Sequence, residues 1–233
     1  MDGNCVSSTA IPIVAPSLST FVLASRHERT PAERSVLAVG IGDAAPAEDL
    51  PRLTNAETEA VFVSSLYARR QPLTGRLASK PAVLAAMTGH SVIHFAGHAR
   101  LDPLFPDRSR LVLRDGDSLM PPEIAAIKLQ PGTVAVLGAC ETALGRTFNG
   151  EGAMSLVRAF LGAGASAVVA ALWDVKDDEA TRLLRSLHTR LSAGADLASS
   201  LAASQRELIA AGSPPSAWSG FTVVGGMHAE RVR

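Results

Sequence analysis

Apolar residues along the chain fall into short unbroken runs that alternate with segments in which they recur every three or four positions. The unbroken runs are VLAVGIG (36–42), SVIHFAG (91–97), TVAVLGA (133–139), ASAVVAALW (165–173) and FTVVGG (221–226). Between them lie segments of helical period: Asn55 to Arg69, PAVLAAM (81–87), PPEIAAIKL (121–129), GAMSLVRAFLG (152–162) and two more after residue 176. This order reads as repeated βα units. Continuous rather than alternating apolar strands are what a sheet covered by helices on both faces requires. The expected fold class is therefore α/β, a three-layer αβα sandwich around a mostly parallel central sheet.

The helical segments carry the faces and ends that this architecture needs. Ala56, Ala60, Val63 and Tyr67 share one side, as do Met154, Val157 and Leu161, and later Leu183 or Leu184 with Leu187 and Leu191. Thr54 with Glu57 matches a capping box, and Ser79 precedes Pro81 at a first turn. Asp177, Asp178 and Glu179 put negative charge where a helix dipole favours it. Residues 100–109 with the flanking LVLRDGDS, and 141–150, read as loops or short hairpins.

Composition narrows the class of protein. The 233 residues are 47% hydrophobic and 19% charged, enough for a substantial core, and one domain over 1–233 with a core of about 10–226 is expected. Lysine plus arginine (22) equals aspartate plus glutamate (22) with no block of like charge, so nucleic acid and anionic membranes are not expected partners. The first apolar segment, AIPIVAPSLSTFVLA, is too short to span a bilayer and lacks the basic opening of a secretory signal. Two cysteines, Cys5 and Cys140, are too few for a disulfide framework, which fits a reducing cytoplasm.

Two of the apolar runs end in reactive residues. His98 follows VIHFAG and Cys140 follows VAVLGA. In a parallel α/β sheet, ligands gather outside the carboxyl ends of the strands, so neighbouring strands would present both residues on one rim. A thiol needs a base before it is a good nucleophile, and an imidazole titrating near neutrality can be that base. The bland alternative is a cysteine packed as a small hydrophobe and a histidine hydrogen-bonded in the core. His94, inside the apolar run, reads as structural. Gly138 and Ala139 are small enough for a sharp turn that brings amide N–H groups toward a bound carbonyl.

VIHFAGHA, VAVLGACETALG, NGEGAMSLVRAFLGAGASAVVAALWDV and WSGFTVVGG resemble the CHAT domain, a caspase-like cysteine peptidase family related to separase. APSLST and AETEAV resemble its earlier landmarks, so the likeness covers roughly residues 10 to 226. It implies a caspase-like fold, His98 as general base, Cys140 as nucleophile, and an oxyanion held by the backbone N–H groups of Cys140 and Ala99. No metal and no cofactor are implied. Family members commonly carry glycine where this chain has Ala99, a departure that bears on the oxyanion geometry if the position needs positive φ. Asp174, in LWDV, matches a position where separase-like relatives have an acidic residue near the specificity pocket. With Glu141 it is a candidate for attracting a basic side chain before the scissile bond; a helix-capping Asp174 is the plain alternative.

The resemblance leaves two classes of function open: an endopeptidase acting on a protein substrate under a separate regulatory protein, or a non-catalytic caspase-like scaffold. CHAT domains are often attached to helical repeats that sense a partner, and the chain has no room for such an array, so it reads as a stand-alone peptidase or an excised piece. Other motifs are weaker. Cys140 and Arg146 spell the C-x5-R of a phosphatase loop, but Glu141 would repel the phosphate. VGIGDAA (39–45) opens like a dinucleotide fingerprint, but Pro46 and Pro51 stand where its helix should begin. Zinc on His94, His98 and Cys140 conflicts with the roughly 13 Å spanned by four residues of extended strand.

Overall fold

The computed structural model describes residues 12–26, 33–43, 49–102, 104–138, 140–141 and 151–226. Eleven strands and eight α-helices are assigned among them, and the apolar runs of the sequence become the central strands. In chain order these are β1 (Ile13–Val14), α1 (Leu18–Arg26), β2 (Ser35–Gly40), α2 (Ala56–Ser65), β3 (Arg69–Thr74), α3 (Lys80–Met87), β4 (Val92–Ala96) and β5 (His98–Arg100). They continue as β6 (Arg110–Val112), β7 (Ser118–Leu119), α4 (Pro121–Ala125), β8 (Val134–Leu137), β9 (Cys140–Glu141) and α5 (Glu151–Gly162). The last are β10 (Ala167–Ala171), α6 (Asp177–Ser192), α7 (Leu197–Ala210), α8 (Pro215–Trp218) and β11 (Phe221–Gly225).

Seven strands form the main sheet in the order β1-β11-β10-β8-β4-β2-β3. Every pairing is parallel except β10 with β11. Alternate residues of each strand enter two separate apolar layers. Leu37, Val39, Ile93, Phe95 and Leu137 pack with residues of α3, α4 and α5, whereas Val36, Ala38, Val92 and Val136 pack with α2, α6, α7 and α8. This is the three-layer sandwich read from the unbroken runs, since a strand covered on both faces has no polar side to show. No helix among the described residues is long and apolar enough to cross a membrane.

Two local expectations change. The helix predicted from Asn55 to Arg69 stops at Ser65, and Arg69 opens the edge strand β3, whose exposed Arg69, Arg70 and Gln71 give it no apolar run to announce it. Thr54 and Glu57 do not form a capping box: Asn55 is the N-cap, and its backbone N–H and Nδ2 both donate to Asp177 Oδ2 at 3.1 Å. The hairpin read around 100–109 is present: β5 and β6 flank it and pair antiparallel within a small second sheet, β7-β6-β5-β9.

Helix α6 shows how sequence makes one of the packed elements. Asp177, Asp178 and Glu179 occupy its first turn, and Leu183, Leu184, Leu187 and Leu191 are wholly buried against the sheet. At the other end Arg34 donates to the carbonyls of Leu191 (2.8 Å) and Ala195 (2.7 Å), tying the approach to β2 to the end of α6.

Candidate active site

Two neighbouring strands of the main sheet leave it through glycine and meet again beyond its edge. β4 ends at Ala96, turns at Gly97 and restarts as β5; β8 ends at Leu137, passes Gly138 and restarts as β9. Both glycines sit in close quarters, where a side chain would make the neighbours shift. A methyl at position 97 would lie 2.8 Å from Phe95 Cε1, and one at 138 would lie 2.7 Å from Leu184 Cδ1 and 3.2 Å from the Phe95 carbonyl. Gly138 N–H donates to that same carbonyl at 2.8 Å, so the two exits stay in step. Beyond them β5 and β9 run parallel with His98 opposite Cys140 and Ala99 opposite Glu141. Two residues separated by forty-two positions thus become direct neighbours across one ladder, with backbones on the order of 5 Å apart.

His98 is 2% exposed, and its ring is held from behind: Nε2 lies 2.7 Å from the carbonyl oxygen of Pro51. A carbonyl only accepts, so Nε2 carries the proton, and in the neutral ring Nδ1 is the lone-pair nitrogen. Burial pulls the His98 pKa below its ordinary value of 6.5; the Pro51 bond opposes this, Arg100 lowers it further and Asp177 raises it. The lowered pKa keeps the imidazole neutral at pH 7, with Nδ1 as the nitrogen able to accept a proton. Pro51 and Asp177 were not recognised from sequence as part of the site. Any residue can supply a carbonyl, so Pro51 left no chemical signal, and Asp177 read only as helix charge.

The CHAT domain model matches residues 7–226. The chain belongs to the CHAT domain family. Mouse tetratricopeptide repeat protein 28 is 29% identical over 212 residues, covering 74% of this chain, and the human protein is 27% identical over the same span. The matched chain spans only 8% of the length of either relative. Among solved structures, the Saccharomyces cerevisiae separase-securin complex superposes with a TM-score of 0.55 at 17% identity, covering 91% of this chain and 13% of that one. The Arg-specific cysteine proteinase gingipain R gives 0.53 at 12% identity, covering 89% and 51%. At these identities the likeness is one of fold, and the fold is caspase-like.

Within this CHAT domain Ala99 meets no backbone penalty. It is an extended residue of β5, absent from the positive-φ residues, with its side chain buried in the apolar layer beside Leu111. The substitution that departs from the family pattern is therefore accommodated by an ordinary strand conformation.

The remaining candidates differ in what surrounds them. Asp174 is exposed just past β10, the strand beside β8, and so stands on the same rim as the dyad. Partial burial raises its pKa above the usual carboxylate value. Next to it Leu172 is 50% and Trp173 37% exposed, and Leu172 N–H donates to the Gly220 carbonyl at 2.7 Å, fixing the turn. The side chains of Cys140 and Glu141, and all of Ala139 and Arg146, lie outside the described residues, as does the segment 142–150. His94 is a buried, hydrogen-bonded residue as expected: its Nδ1 lies 3.1 Å from His188 Nε2. Among the described residues no three His, Cys, Asp or Glu side chains are grouped to hold a metal ion.

Proposed function

We propose that this CHAT domain is a cysteine endopeptidase that cuts a protein substrate with Cys140 as nucleophile and His98 as general base. The observation that carries this reading is the ladder pairing of His98 with Cys140, together with the Pro51 bond that leaves Nδ1 as the basic nitrogen. His98 Nδ1 takes the thiol proton, and the thiolate attacks the peptide carbonyl carbon. The backbone N–H groups of Cys140 and Ala99 hold the oxyanion. The tetrahedral species then collapses: the C–N bond breaks, His98 gives its proton to the leaving amine, and a thioester remains. Water, deprotonated by His98, cleaves the thioester and restores the thiol. The chemistry calls for no metal or cofactor.

Asp174, with Glu141, is the proposed attraction for a basic side chain before the scissile bond, consistent with an acidic group on the dyad's rim. A free thiol nucleophile suits a reducing, cytoplasmic setting, and a separate regulatory protein is the proposed control. Incubation with a mixed peptide library and mass spectrometric reading of the cut sites tests the proposal. Cleavage is expected from the native protein and none from Cys140→Ala, with the two giving the same circular dichroism spectrum. Identical cut sites from both proteins would remove Cys140 from the mechanism.

The low exposure of His98, and relatives named for repeats rather than for peptidase activity, favour a second reading as a non-catalytic interaction domain. An uncut library together with a Cys140 thiol no more reactive than a free cysteine would select it.

A further inference from the structure

The face of α2 that packs on the sheet contains a carboxyl group. Ala56, Ala60 and Val63 are the expected small and apolar contacts, but Glu59 shares their side of the helix and is only 3% exposed. Its Oε1 lies 3.1 Å from Nε2 of His94, which is wholly buried in the middle of β4. The contact is close but poorly aligned, so neither atom has a full hydrogen bond. Beyond His94 the chain continues without a break. His94 Nδ1 is 3.1 Å from His188 Nε2, and His188 Nδ1 is 3.0 Å from the Tyr67 hydroxyl. His94 and His188 cross edge to face, with ring centroids 4.8 Å apart.

A neutral His188 has one N–H to place. With the Tyr67 hydroxyl donating to its Nδ1, its Nε2–H donates to His94 Nδ1, which turns His94 Nε2 toward Glu59. The surroundings agree with that order. Burial pushes the Tyr67 phenol well above its ordinary value, with Arg34 opposing, and holds His188 well below its own, so the phenol keeps its proton and the ring stays neutral. Four polar groups from α2, its following turn, β4 and α6 are thus joined inside an apolar layer. An apolar quartet would fill that space without two under-satisfied atoms, and such exceptions call for a reason beyond packing.

The reason lies in what α2 touches. At its N-terminus, Asn55 is tied to Asp177, the first residue of α6, and the same approach segment carries the Pro51 carbonyl that holds His98. At its middle, Glu59 Oε1 sits 3.5 Å from where a methyl at Gly138 would stand, two residues before Cys140. One helix therefore bears on both halves of the dyad. His94 lies on the strand that delivers His98, with β2 on one side and β8 on the other.

Resting on the peptidase reading, we propose that Glu59 and His94 are positioning residues for the dyad. With His188 and Tyr67 they seat α2 on β4 and β8, so that the Pro51 carbonyl meets His98 and the glycine exit delivers Cys140 opposite it. They touch no substrate and act through α2 and the two strand exits.

The test reads the thiol itself. In a Cys5→Ser background, the rate of Cys140 alkylation by iodoacetamide is followed from pH 4.5 to 9, alongside thermal melts. In the native dyad, reactivity should persist well below the pH at which a free thiol loses it. Glu59→Gln preserves shape and exchanges the carboxyl for an amide; it should move the profile toward that of a free thiol and lower the rate at pH 6 by about tenfold, since small displacements of reacting groups carry effects of this size. Tyr67→Phe removes only the far hydroxyl, and should shift the profile in the same direction by less; it carries the test if Glu59→Gln does not fold. A merely structural role would lower the melting temperature and leave the profile where it is. That result in the folded variants overturns the inference while the dyad stands. A native Cys140 with a free-thiol profile would bring down the dyad and the inference together.

Discussion

Single residues at this site are placed by what cannot fit beside them. Gly97 and Gly138 let two strands turn off the sheet because a methyl at either would meet Phe95 or Leu184. Alanine suffices at 99 because the position is plain strand. Asp174 is the residue whose role is most open to direct measurement. Its exposed position on the rim gives it the worth of one partly screened ion pair, so Asp174→Ala should lower kcat/KM for arginyl and lysyl peptides by about fivefold. Peptides with an uncharged residue at that place should be cut at an unchanged rate. Equal rates on basic peptides would assign the specificity elsewhere.

At the scale of elements, α2 and α6 are joined at both ends, by Asn55 with Asp177 near the site and by Tyr67 with His188 farther along. The second link has a pH signature. His188 is fully buried and its folded pKa is well below 6.5, by desolvation first and by His94 second. Above pH 6.5 the ring is neutral in both folded and unfolded chains and the stability it contributes is complete. As the pH falls below 6.5 the unfolded chain takes up a proton that the folded one refuses, and this group costs up to about 1.4 kcal/mol per pH unit until the folded pKa is reached. His90 and His98 are lowered too and add to the same trend. Urea titrations at pH 7.5 and 5.5 should therefore show a smaller loss on acidification for His188→Gln than for the native protein, even though the variant starts less stable.

For the whole molecule, one sheet serves two apolar layers, so loss of either exposes the other. Leu187, wholly buried on α6, packs in the layer that also holds Trp218 of α8 and Val136 of β8. Leu187→Ala should cost about 2–5 kcal/mol and leave a single transition. Coincident tryptophan fluorescence and circular dichroism curves in urea would confirm this; separated curves would mean that the layers unfold independently.

The sequence alone determined the layered α/β fold, because a strand covered on both faces must be apolar at every position and a packed helix at every third or fourth. It also picked out His98 and Cys140, since each ends such a run with a side chain able to react. It missed the edge strand β3, whose exposed polar residues carry no period that separates it from a loop. It gave no sign that Pro51 would hold His98, because a backbone carbonyl is common to all residues. It led us to read Glu57 as the capping acid and His94 as structural, without naming its partners. Only the tertiary structure decided that Asp177 holds the N-cap residue of a helix more than a hundred positions away, that Glu59 is the buried acid, and that the two strand exits come back into register. These depend on distances between segments remote in sequence, which local pattern does not encode.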